Sequence, residues 1–238
     1  MRLARVGLIV PFLLLVVPAW AQQATQALPQ PVSDPQAVAV VQAAITALGG
    51  ATAIGQAQSW TFQAQTQGPH SNGNIDYVIS TDTDTGKRAG PNGTMRAAPP
   101  IHSHFVPALV GAILLKESQD PTLTIQFGGT STTDSNPVTT IVFNFTIGPR
   151  FPAQIWTFDA ANLPTMVDFR TPATIGARVS FPFAVLLSDY RQVSGVIYPF
   201  QIMAVVPGKP PQVISVQNIT PSATAATNEF NGSGGDLR

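Results

Sequence analysis

A chain of 238 residues with 44% hydrophobic and only 10% charged residues has the means to bury a core and little of the polar bias that keeps chains disordered. Its 12 basic and 12 acidic residues cancel, which leaves no electrostatic footprint for nucleic acid. The absence of Cys excludes disulfides, thiolate metal sites, iron–sulfur clusters and thiol catalysis together.

The chain opens with two basic residues, Arg2 and Arg5, followed by the apolar stretch Val6 to Val17 and the small-residue ending Pro18-Ala19-Trp20-Ala21. This is the pattern of a signal peptide cleaved after Ala21, since an apolar core of about a dozen residues falls short of the ~20 that span a bilayer. No Cys follows the cleavage point to carry an acyl anchor. The expected mature chain, Gln22 to Arg238, is therefore periplasmic or secreted and not membrane-spanning. Losing Arg2 and Arg5 from the 12 basic residues leaves 10 against 12 acidic ones, a net charge of −2. The expected organisation is a signal at 1–21, a flexible Gln/Ala/Pro-rich leader at 22–32, one domain at 33–230 and a Gly/Ser-rich tail at 231–238. An exported domain without disulfides needs a core large enough to hold unaided.

In chain order, Ser33-Asp34-Pro35 supplies an N-cap with Pro at the first helical position. Ala37, Val40, Val41, Ala44, Ile45 and Leu48 then recur at helical spacing until Gly49-Gly50 stops the helix. From Ser59 the period changes to two. Strands are expected at 60–64 and 75–80, with a loop at 68–73, and a second loop runs from Lys87 to Pro100 with a short strand at Met95 and Arg96. Phe105 to Leu115 returns to helical spacing and is apolar nearly all round, so it should be buried or cover a cavity. Further strands are expected around Leu123/Ile125/Phe127, Ile141/Phe143/Phe145, 154–158, 165–170, 181–187, 196–206 and 213–219. Asn144 lies inside one of these alternations, so its N-x-Thr sequon reads as a strand residue. The spacings fit an antiparallel meander of about ten strands with one or two helices, an α+β, mainly antiparallel β fold; no solenoid repeat or βα alternation is visible.

Motifs for chemistry are sparse. Ser80-Thr81-Asp82-Thr83-Asp84-Thr85 resembles the nucleophile loop of haloacid-dehalogenase-type phosphatases, but that chemistry needs a parallel sheet and a later acidic pair, and a polar turn closed by Gly86 explains the residues. A calcium loop fails because the twelfth position from Asp82 is Gly93 rather than Glu. His102 and His104 fall on one side of an extended segment, but two imidazoles, even with His70, lack a placed acidic partner, so ordinary loop histidines are the reading and no metal or cofactor is expected. No G-x-S-x-G elbow is present, and no catalytic residue is assigned.

One stretch carries a family resemblance: Leu187-Ser188-Asp189-Tyr190-Arg191, Val193 to Phe200, a Gly208 turn, and Val216-Gln217-Asn218-Ile219 running to Asn228-Glu229-Phe230. Together with the Asp34–Gly50 helix and the Phe158-Asp159 to Leu163-Pro164 hairpin, it resembles bacterial proteins of the outer-membrane lipoprotein carrier (LolA-like) superfamily. The resemblance implies a curved open half-barrel of antiparallel strands closed by one or two helices, with a concave apolar interior suited to acyl chains. Between Ala89 and Asp120 no matching motif occurs, and no residue takes the place of the carriers' lid Arg.

The expected function is that of an exported, non-enzymatic protein holding a lipid or other apolar ligand in a concave β-sheet cavity. By alternation, the lining residues are Trp60, Phe62, Ile125, Phe127, Phe143, Phe145, Trp156 and Phe158. The alternative is a structural or partner-binding envelope protein with a filled core and no small ligand, pairing with another chain through a sheet edge.

Overall fold

The computed structural model describes residues 32–69, 72–80, 86–89, 95–97, 109–145, 154–172 and 180–224, all within one compact unit. The expected signal, residues 22–31 of the leader, the tail, the 82–85 acidic turn and His70, His102 and His104 lie outside them.

The first helix, α1 (Pro35–Ala47), starts where its capping chemistry dictates. The Asp34 carboxylate accepts from the Gln36 backbone N–H at 2.8 Å, and Pro35 occupies the first turn, where a missing N–H costs nothing. Its buried stripe is Ala37, Val41, Ala44 and Ile45. Gly49 and Gly50, with φ of 120° and 86°, turn the chain into a second helix, α2 (Ala51–Gln56), which was not expected from sequence. Six residues that include Gly55, with no side-chain cap, are too few to show a period.

Eleven strands follow among the described residues: β1 (Ser59–Gln67), β2 (Gly73–Ser80), β3 (Gly86–Ala89), β4 (Met95–Ala97), β5 (Leu123–Thr133), β6 (Asn136–Phe145), β7 (Gln154–Phe158), β8 (Pro164–Pro172), β9 (Ser180–Val193), β10 (Val196–Val205) and β11 (Gln212–Ser222). The helix between β4 and β5, α3 (Val110–Ser118), begins five residues later than the expected segment and ends three later, with residues 105–108 of that segment outside the described ones. Residues 87–89, expected in a loop, form most of β3, which pairs with β2 and β4. β9 runs well past the expected Phe181–Leu187 because β8 and β10 both pair along it.

All strands join one antiparallel sheet in the order β4-β3-β2-β1-β11-β10-β9-β8-β7-β6-β5. β4 and β5 lie at opposite ends of the sheet and, among the described residues, do not pair with each other, so it is open, the α+β half-barrel architecture that the sequence resemblance implied. α1 ties two distant parts of the sheet together. The Asp34 N–H donates to the Ile125 carbonyl of edge strand β5, while at the other end the Leu48 carbonyl accepts from Ile197 of β10, at 2.8 and 2.9 Å. β10 is five places from β5 in the strand order, so the helix crosses the sheet between them.

One face of the sheet, the concave one, carries the core. In β1, Trp60, Phe62, Ala64 and Thr66 are buried and Thr61, Gln63, Gln65 and Gln67 exposed, the alternation of a sheet with one dry face. Buried residues of the three described helices and of nine of the strands form one apolar cluster. Gly49 is required where α1 meets the β9–β10 turn: a Cβ there would lie 2.4 Å from the Gly195 carbonyl oxygen.

Candidate functional site

Seven of the eight expected lining residues have described side chains, and all seven fall in or against the concave cluster. Phe145 has a described backbone, opposite Leu123, but its side chain lies outside the described residues. The structure divides the seven into two groups. Trp60 and Phe62 belong to β1, where the Trp60 indole N–H donates to the Tyr198 hydroxyl at 3.2 Å. Ile125, Phe127, Phe143, Trp156 and Phe158 belong to β5, β6 and β7 at the far end of the sheet.

In this second group, register builds the surface. Ile125, Phe143 and Gln154 face one another across β5, β6 and β7, and Phe127, Ile141, Trp156, Val167 and Val185 form the next row. The Trp156 ring lies 6.0 Å from Phe143, tilted by 56°, and 6.3 Å from Phe158, nearly parallel at 15°. These rings are packed. Trp60, Phe62, Phe143, Trp156 and Phe158 are each at most 1% accessible, so none borders a space that a water molecule enters. A recess of about 320 Å³ does lie elsewhere, between β1, β2 and β11, but its walls, Gln65, Thr66, Gln67, Asn72, Gly73 and Ser215, are polar and uncharged and include none of the expected residues.

Helix α3 lies against β5, β10, α1 and α2. Its Val110 and Leu114 are buried, and Gly111 lets it approach Ile54 of α2. The next position on the same stripe, at i+3 from Leu114, is Glu117. Its Oε1 accepts from Gln154 Nε2 at 3.1 Å, and Gln154 Oε1 accepts from the Trp156 indole N–H at 2.9 Å. Because an indole N–H only donates, the Gln154 amide orientation is fixed and its NH₂ must point to Glu117. Glu117 Oε2 is shut off from solvent and has no hydrogen-bond partner among the described residues. Burial raises this carboxyl from 4.5 to about 7; the Gln154 hydrogen bond and Lys116 offset part of the rise and Asp120 adds to it.

Sequence reasoning did not find Glu117. Its signal was the stripe Val110, Leu114, Glu117, which becomes visible only when the helix is extended past Leu115. Gln154 was seen only as the first residue of a strand.

The residues that carry the sequence resemblance build the platform for the C-terminal end of α1. Asp189 and Arg191 point to the same side of β9, with Arg191 Nε and Nη2 donating to the Asp189 carboxylate at 3.0 and 2.6 Å. The Arg191 guanidinium also lies 4.6 Å over the Phe200 ring. Pro199 pairs with Tyr190 of β9 but precedes the stretch Gln201–Ala204 where β10 pairs with β11, so its missing N–H costs no bond to β11. Beside it, the Tyr190 hydroxyl donates to the Pro164 carbonyl, and burial raises that phenol well above its ordinary range.

Among the described residues no three His, Asp or Glu side chains converge as a metal site, and no single helix is long and apolar enough to cross a membrane. The fold and this surface define an open antiparallel half-barrel spanned by a helix, with an aromatic concave face and one buried acid on it. No family model matches the chain, and no curated protein matches it. Solved structures similar to it include an outer membrane lipoprotein-sorting protein domain from Vibrio parahaemolyticus, 10% identical, with 82% of this chain and 96% of that one covered and a TM-score of 0.47. A DUF1329 family protein from Desulfovibrio piger is 10% identical over 84% of this chain and 98% of its own, with a TM-score of 0.48. A LolA superfamily protein from Nitrosomonas europaea is 8% identical over 77% and 92%, with a TM-score of 0.46.

Proposed function

We propose that this is an exported, non-enzymatic binding protein that takes up an apolar ligand, an acyl chain or lipid, between α3 and the aromatic part of the concave face formed by β5, β6 and β7. Residues 1–21 are removed on export and the binding domain lies within 33–230. The observation that carries the reading is Glu117 Oε2, a polar atom buried without a partner where α3 meets that face. A core that only had to stay closed would gain about 1–3 kcal/mol by dispensing with it. A helix of nine residues with no side-chain cap, docked over such an atom, is poised to lift. The ligand then takes the place of α3 and lies against the apolar cluster that includes Phe127, Phe143, Trp156 and Phe158, at about 25 cal/mol per Å² of apolar surface buried.

Native mass spectrometry of the mature protein from its own exported compartment, followed by organic extraction, tests this. A stoichiometric acyl-chain species, lost in Phe127→Asp with the circular dichroism unchanged, is the expected result. A clean apo mass with no uptake of dodecanol at micromolar concentration overturns it.

A second reading draws on the tight packing of the five aromatic rings, which supports a filled core and a protein partner. The edge strand β5 would then receive an added strand along Gly128–Thr133, beyond the Ile125 position that Ser33 and Asp34 cover. Loss of a co-purifying partner on Thr130→Pro, with no lipid in either sample, favours that reading.

A further inference from the structure

The polar relay under α3 specifies what the head of an apolar ligand must be, an inference that rests on the apolar-ligand reading above. Three side chains from two elements are fixed in sequence: Trp156 N–H to Gln154 carbonyl, Gln154 NH₂ to Glu117 Oε1. Every polar atom of Gln154 and Trp156 that faces this chain is used. The direction of the relay is set by the indole, which has a proton to give and no lone pair to offer. What remains open at its end is Glu117 Oε2.

An ionised Oε2 needs a donor. On the apolar cluster that holds Leu114, Ile125, Phe143 and Trp156, that donor has to arrive with the ligand, because the atom is closed to solvent in this structure. An anionic head would instead face the Glu117 carboxylate, with Asp120 close enough in the same turn to add its own repulsion, and the offsetting Lys116 lies on the exposed side of the helix. Unlike charges at short range in a weakly polarisable setting discriminate strongly, and like charges do so in the opposite sense.

We infer that Glu117, oriented by Gln154 and Trp156, is the head-group anchor of the apolar site, and that the site selects amphiphiles whose head donates a hydrogen bond and carries no negative charge. A long-chain amine or alcohol fits; a fatty-acid carboxylate or a phospholipid phosphate does not. The chain of the ligand lies on the aromatic rows and its head replaces the missing partner of Oε2. Gln154 acts as a positioning residue, since it touches Glu117 and not the ligand.

Three probes with one alkyl chain separate the head from the tail: dodecylamine, dodecanol and dodecanoate, titrated calorimetrically into the mature protein at pH 8 and below micelle-forming concentrations. The expected order is amine, alcohol, carboxylate, with about tenfold or more between the first and last. In Glu117→Gln the amine and the carboxylate converge to within about twofold, while dodecanol binding stays within about threefold of the wild-type value. Wild-type protein at pH 5.5, where Glu117 is protonated, shows the same convergence and gives the answer if the variant fails to fold. Equal affinity for amine and carboxylate at pH 8, or a preference that survives in Glu117→Gln, overturns the anchor while leaving the apolar-ligand reading intact. If none of the three probes binds, the apolar-ligand reading itself falls and takes the anchor with it.

Discussion

Replacing Glu117 by Gln converts a buried ionisable group into a neutral one of the same shape, and the structure fixes both the sign and the pH window of the effect. The free carboxyl titrates at 4.5 and the buried one at about 7. Below 4.5 both folded and unfolded chains hold the proton, so Glu117 contributes no pH-dependent term. Between 4.5 and 7 the unfolded chain ionises first, which draws the equilibrium toward unfolding. Above 7 both are ionised and the penalty levels off at about 3 kcal/mol, taking 1.36 kcal/mol per pH unit. Glu117→Gln should therefore be more stable than wild type by about 2–3 kcal/mol at pH 8 and equal to it within error at pH 4. With a urea slope of about 2–3 kcal/mol per molar for a domain of this size, the midpoint shifts by about 1 M at pH 8. Urea unfolding of the two proteins side by side at pH 4, 6 and 8 isolates Glu117 from the other carboxylates, which are common to both. A difference that does not change with pH, or a variant less stable at pH 8, refutes the claim that Glu117 is buried without compensation.

Gly49→Ala places a methyl against the Gly195 carbonyl at a φ of 120°, and should lower stability by about 2–3 kcal/mol in thermal unfolding, whereas the same change at Gly129, where nothing lies within 4 Å, should cost only its backbone strain. Leu114→Ala empties the fully buried centre of the α3 contact and should destabilise by about 2–5 kcal/mol, with accelerated amide exchange in 110–118 if the helix is the weakest docked element. Asp34→Ala removes the α1 cap and should cost about 1 kcal/mol in urea unfolding. Arg191→Ala breaks an exposed pair and a cation–π contact, and should lower the urea midpoint only slightly, with the difference diminishing in high salt.

The dry face of each strand was legible because strand alternation is a local signal with a period of two: Trp60/Phe62, Ile125/Phe127 and Trp156/Phe158 alternate with polar neighbours, though alternation does not say which face is the concave one. The start of α1 was equally local, written in Asp34 and Pro35. What sequence did not reveal is what fills the concavity, because α1 reaches β5 through backbone bonds of Asp34 and reaches β10 through Leu48, and neither contact leaves a pattern along the chain. β3 was hidden because Gly86-Lys87-Arg88-Ala89 has turn composition and is a strand only by pairing on both sides. The Glu117–Gln154 contact joins residues 37 positions apart on a helix and a strand whose polar side chains look solvent-facing when read singly.

The place of β11 in the sheet sets an order for assembly. Strands β1–β4 and strands β5–β10 are two meanders, and β11 alone bridges them, zipping against β1 from Phe62–Ile219 outward while holding β10 through Gln201–Ala204. Partners roughly 150 residues apart must therefore meet before the first meander has a dry neighbour, which predisposes the chain to slow, late closure. An emerging chain cannot finish folding until Gln212–Ser222 is available, and a truncation ahead of Gln212 would leave β1 and β10 with unpaired edges of the kind that seed aggregation.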